Sequence, residues 1–206
     1  MERVLELAKE LIKVLEEKKE ECKNVEQYEL STLEPGEVFK IGEHDFIVLE
    51  QMEGQTAVIS KGFMAEDKKF DDETRDYNKS AIKKFIESEI QPVIETAVGA
   101  DNLVEHEVDL TSVDMQKEFE NCRCKVRLIT FDEARKYNDL VADKNLSDWW
   151  WTCTPWSTEE RGYKYSQTVV CPSGNFNRNY GCGICNGVRP FCILKSNIFV
   201  SKGGLK

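Results

Sequence analysis

The chain has two histidines in 206 residues, His44 and His106. His44 falls in a predicted turn and His106 stands between Glu105 and Glu107. Neither has a companion serine or cysteine, or the HxxxH spacing of a metal site, so each is expected to be structural or solvated. Positive charge is also short. Lys and Arg number 28 against 38 Asp and Glu, a net charge of −10. Broad binding to nucleic acid or to an anionic membrane needs a basic footprint, so no nucleic-acid partner is expected. No run approaches the roughly 20 apolar residues of a membrane helix, which predicts no membrane insertion. Met1-Glu2-Arg3-Val4-Leu5-Glu6 is charged where a signal peptide would carry its apolar core. The expectation is a protein made in a cytoplasm without general secretory export, and release within a virion stays open. There is no P-loop, no GxGxxG and no GxSxG. The acidic run from Glu66 to Glu73 lacks the DxDxDG loop of a calcium site and reads as a solvated loop. No cofactor and no enzymatic activity are expected.

Cysteine is plentiful, at eight. Without a secretory signal, reduced thiols are the default. Cys153, Cys171 and Cys192 lie in apolar, strand-like runs and read as small buried hydrophobes. Cys182 and Cys185 form a CxxC, which would supply a four-thiolate zinc site if it met Cys122 and Cys124. The CxC half departs from the usual spacing, and the CxxC lacks the helix N-terminus of a redox motif. Incidental cysteines and no metal are expected, with these four as the metal candidates.

Residues 2–23 carry Val4, Leu7, Leu11 and Val14 on one stripe and predict an amphipathic helix. It either packs on its own domain or pairs as a short coil that makes a homo-oligomer. The division expected is 1–27 for this helix and 28–206 for the main domain. Beyond the turn Glu34-Pro35-Gly36-Glu37, strands are predicted over 38–41, 45–51 and 55–60 as a meander. A helix follows over 80–98, which Pro92 must kink or split. A strand is predicted over 125–129. Thr130-Phe131-Asp132-Glu133 is a capping box for a helix to about Val141. The tail returns to strands over 149–154, 165–170, 187–194 and 198–200. Mixed, non-alternating elements favour α+β with a mostly antiparallel sheet.

The tail, 149–194, reads as a display segment. Trp149, Trp150 and Trp151 alternate faces if they lie in a strand, and Trp150 then opposes its neighbours. Arg189, among apolar residues, needs carbonyl or carboxylate partners and reads as a clamp. Trp149, Trp150, Arg189 and Pro190 are the expected frame. The glycine- and asparagine-rich stretch from Ser173 to Asn186 reads as a permissive loop held by that frame.

Trp149-Trp150-Trp151-Thr152-Cys153-Thr154-Pro155, Pro172-Ser173-Gly174 and Gly187-Val188-Arg189-Pro190 resemble the marks of a domain family of Firmicutes and their phages. That family has a Trp-Trp-Leu-Arg-Ser-Pro block, a Ser-Gly turn and a closing Gly-Val-Arg-Pro strand. This chain departs from it at Thr152-Cys153-Thr154. The family is similar in fold to the C-type-lectin-like domains of formylglycine-generating enzymes and of retroelement-diversified variable proteins. The resemblance implies a ligand-binding display protein of phage or prophage origin, whose ligand is a cell-surface protein or glycan. The contact surface would be Trp156, Tyr163, Asn175, Phe176, Asn177, Arg178, Asn179, Tyr180, Ile184 and Asn186. Residues 175–186 contain no Lys, Glu, Gln, Met or Trp, the five that NNY codons cannot encode. That pattern fits either adenine-directed diversification or a fixed loop. Two other functions stay open: a metal- or thiol-dependent oxidoreductase of the formylglycine-generating type, and a purely structural phage protein.

Overall fold

The computed structural model describes residues 26–202, together with Arg3, Glu6 and Glu10. Apart from those three positions, the amphipathic helix and oligomerising seam expected over 2–23 lie outside the described residues.

The described residues are α+β, with two five-stranded sheets and two short ribbons. After β1 (Gln27–Glu29), the meander forms where expected, as β2 (Val38–Ile41), β3 (His44–Met52) and β4 (Gln55–Ser60). β3 is buried at four consecutive positions because both faces of its sheet are covered. Phe46 and Val48 join one apolar cluster, while Ile47 and Leu49 join another. β5 is Ala65–Lys69.

The first cluster is capped by a helical run. Ser80 opens α1 (Ala81–Phe85) and its hydroxyl accepts from the Lys83 N–H at 3.3 Å. Ile82, Ile86, Ile90 and Ile94 recur every four residues and are all buried. The backbone stays helical through Pro92 but changes type there: a π turn over Ile86–Ile90 precedes α2 (Gln91–Val98), with the proline in the first turn of α2.

Next come β6 (His106–Val108), β7 (Cys122–Cys124) and β8 (Val126–Leu128). The capping box is present in both directions, with Thr130 and Glu133 exchanging bonds at the start of α3 (Phe131–Lys136). α4 (Asn138–Val141) continues it and covers the second cluster. The tail supplies β9 (Trp150–Pro155), β10 (Ser166–Val170), β11 (Phe176–Tyr180), β12 (Cys185–Val188), β13 (Pro190–Lys195) and β14 (Phe199–Ser201).

One sheet runs β2-β3-β4-β13-β8 and the other β11-β10-β9-β12-β5. β13 pairs antiparallel with both β4 and β8. The strand expected over 187–194 is therefore two strands. β12 belongs to one sheet and β13 to the other, with Arg189 at the handover. Two further expectations are corrected. Residues 66–69 of the charged run lie in an edge strand, β5, paired with β12, and the display loop contains a regular strand, β11.

Candidate functional site

The tryptophans build the frame by alternation. Trp150 faces the second cluster, Trp151 the first, and half-buried Trp149 packs on the first. Trp151 donates from Nε1 to the Lys68 carbonyl at 2.7 Å and meets Phe70 edge-on at 5.8 Å. Arg189 is fully buried. It donates to the Ser60 carbonyl at 3.0 Å and the Val141 carbonyl at 2.6 Å, and stacks 4.8 Å from the Trp150 ring. Its hydrogen-bond partners are carbonyls, and among the described residues no carboxylate is hydrogen-bonded to it. Burial pushes the guanidinium pKa down to about 10, and Nη2 has no partner among the described residues. Pro190 is buried opposite Leu128, at a position where a missing N–H is tolerated.

Next to β9 lies β10, buried along its whole length, and β11 pairs with it from Ser166–Tyr180 to Val170–Phe176 without a register shift. The turn into β11 is fixed from outside. Gly174 has φ +86, and a Cβ there would stand 2.7 Å from Asn138 Oδ1, while Asn138 Nδ2 donates to the Gly174 carbonyl. A partly exposed outer strand is therefore held on a fully buried inner one.

Asn175, Asn177, Arg178, Tyr180 and Ile184 are exposed, with Tyr180 at 54%. Arg178 lies 5.0 Å over the Tyr163 ring, bonds Ser166 Oγ at 3.2 Å, and has no carboxylate partner among the described residues. Trp156 and Tyr163 are half-buried. Three further members of the expected surface are turned away from full exposure. Phe176 packs edge-on to Phe131 at 4.9 Å. Asn179 donates to Asn186 Oδ1 at 3.1 Å. Asn186 is 2% exposed, too deep in β12 to touch a partner, because β12 runs between β9 and β5.

The cysteines do not assemble as a four-thiolate site. Cys122 and Cys124 are buried on one face of β7, while Cys182 is half-buried in the turn after β11 and Cys185 half-buried at the start of β12. No group of three or more metal-ligating side chains gathers among the described residues. The Cys122 thiol and burial push the Cys124 thiol up, and burial raises Cys153 to about 12.

Other polar centres escaped sequence reasoning. Buried Arg127 forms a bidentate pair with Glu133 at 2.7 and 2.6 Å and donates from Nε to His106 Nε2 at 2.8 Å. Buried Arg75 bonds Glu118 and the Ser157 carbonyl. Asp114 accepts from Ser112, Ser157 and Arg161, which hold its pKa down at about 2. Together, Arg75 and Asp114 fasten the segment carrying Trp156 and Tyr163. The Arg75 contacts and the Asp114 bonds to Ser157 and Arg161 each span 43 residues or more, so no local spacing announces them.

Comparison with family models, curated proteins and solved structures returned no match.

Proposed function

We propose that this chain is a binding protein that displays the exposed side of β11 to a cell-surface protein or glycan. The observation that carries the proposal is Arg178. It is an exposed guanidinium without a carboxylate partner among the described residues, stacked on Tyr163, with exposed Tyr180 two residues along the same strand face. Aromatic rings and arginine give contact area and adaptable hydrogen bonds at modest entropic cost. Buried β10 beneath them keeps the backbone in place, so little ordering is needed on binding. The tail motifs support assigning the domain to the C-type-lectin-like, phage-associated family, and the Asn-rich composition of 175–186 supports diversification of this strand.

The test is binding of the labelled protein to intact Firmicutes cells and to a glycan array. The expected result is capture by the wild type and at least about a tenfold loss for the Arg178→Ala/Tyr180→Ala variant, with an unchanged thermal melt. Equal capture by both proteins would remove β11 as the contact surface. Sequencing the coding locus for a near-repeat that differs at adenines would decide the diversification.

A further inference from the structure

A second site follows from the Gly-Val-Arg-Pro motif, at residues that β11 does not share. Each member of the motif holds a piece of one cleft. Gly187 leaves room for the Phe63 ring, since a Cβ there would stand 2.4 Å from Phe63 Cε1. The Val188 carbonyl accepts the Met64 N–H at 3.0 Å. Arg189 ties the Ser60 carbonyl to that of Val141, at the end of α4. Loop 60–64 and loop 142–146 are thereby fixed as facing walls. Between them opens a cleft of about 520 Å³, lined by Ser60, Lys61, Phe63, Asp143 and Leu146, with Lys40 and Asp45 at the β2–β3 side. That volume is in the range of small-molecule sites.

The charges around the cleft are unevenly satisfied. Lys40 lies 3.1 Å from Asp45. Asp143 Oδ1 accepts two bonds from Asn145, at 2.9 Å each. Glu43 is exposed at the tip of its turn. Lys61 is half-buried, with no ion pair among the described residues. Behind the wall, fully buried Arg189 has, among the described residues, no carboxylate hydrogen-bonded to it and one unpartnered nitrogen. Asp143 on the cleft wall opposes that charge only through space, so burying the cation still costs free energy, and a second anion in the adjoining cleft offsets more of it. Phe63 and Leu146 offer the apolar wall.

We propose that this cleft binds a small ligand bearing one anionic group, a carboxylate or a phosphate. Lys61 is the direct contact, the positive field of Arg189 lies behind it, and the ligand's apolar body rests on Phe63 and Leu146.

The experiment titrates the full chain at low salt by calorimetry and ligand-detected NMR, to about 10 mM probe. The probes are N-acetylphenylalaninate, phenyl phosphate, the neutral N-acetylphenylalaninamide and the cation phenethylammonium. The expected result is saturable binding of at least one anion, none of the amide or cation, and about tenfold weakening in Lys61→Ala and Lys61→Gln. Binding of the carboxylate alone, or of the phosphate alone, identifies the anion. Binding of the amide or cation as tightly as the anions, of no probe at all, or of an anion unchanged in both Lys61 variants overturns the proposal. Arg178→Ala is the control and should bind the anion as the wild type does. Loss there would move the site to β11 and overturn the cleft, whereas failure of cell capture with intact probe binding would remove only the surface reading.

Discussion

The ring of Phe63 occupies the space that a Cβ on residue 187 would need, with three ring carbons within 2.6 Å of that point. The glycine of the tail motif is therefore a packing requirement.

Gly187→Ala is expected to destabilise the chain by about 1–3 kcal/mol, the usual cost of overfilling a packed contact. In a Phe63→Ala background the same change should cost much less, since the clashing ring is gone. Urea melts of the four proteins in this cycle check it, and additive effects would show that the ring is not what residue 187 meets.

His106 predicts a pH dependence. Its Nε2 accepts from Arg127, so the ring proton sits on Nδ1, 3.1 Å from the Val104 carbonyl. Burial and then the Arg127 charge hold its pKa below the ordinary 6.5, against smaller opposing effects of the Val104 carbonyl, Glu133 and Glu105. The unfolded chain then takes up a proton before the folded one. This contribution is fully present above 6.5 and is lost as pH falls through the lower folded pKa. His106→Gln, whose amide oxygen can accept the same Arg127 bond, should flatten the slope of unfolding free energy over that window. Identical slopes in wild type and variant would assign the pH dependence elsewhere.

The open edge of β11 is guarded by a side chain. Cys171 bonds the Asn175 carbonyl and Gly181 bonds the Tyr165 carbonyl, so odd-numbered residues face β10 and even-numbered ones turn their backbone outward. The outward Arg178 N–H is taken by Asn177 Oδ1 at 2.8 Å. Asn177→Val removes that cover and adds a strand-favouring side chain, and concentration-dependent self-association in sedimentation velocity is expected. A variant that stays as monodisperse as the wild type would mean that Asn177 plays no guarding role.

Among the described thiols, Cys182 and Cys185 are half-buried and the other five are buried. In native buffer these two should react first with a thiol-specific chromogen, and Cys122, Cys124, Cys153 and Cys192 should wait for unfolding. Peptide mapping of the first-labelled sites checks the order. Early labelling of β7 would show that its burial is transient.

The sequence disclosed the elements that follow one local rule. The meander over β2–β4 shows its alternation and turns, and the Thr130–Glu133 box shows its cap. The three tryptophans point as strand geometry demands. What stayed hidden depends on distant partners. β5 is charged and pairs along only one edge, with β12, so it lacks an apolar signature. β11 is polar and asparagine-rich, with low intrinsic strand preference, and takes its shape from pairing with β10. The break at Arg189 could not be read, because Val188 and Phe191 are equally apolar and only tertiary pairing sends them to different sheets. Asn186 looked like a loop residue by composition, yet its place in β12 buries it.

β13 lies between β4 and β8, so the interior of the meander sheet is completed by a strand from near the far end of the chain. The hydrogen bond between Thr56 Oγ1 and Ser196 Oγ, 2.8 Å long, closes a loop of 140 residues. Closure over such a separation is entropically late and makes folding slow. During synthesis the β2–β4 meander emerges early and must wait with the outer side of β4 unpaired. A chaperone or a pause that shields that edge would raise the yield of folded protein more than any stabilising change in the finished core.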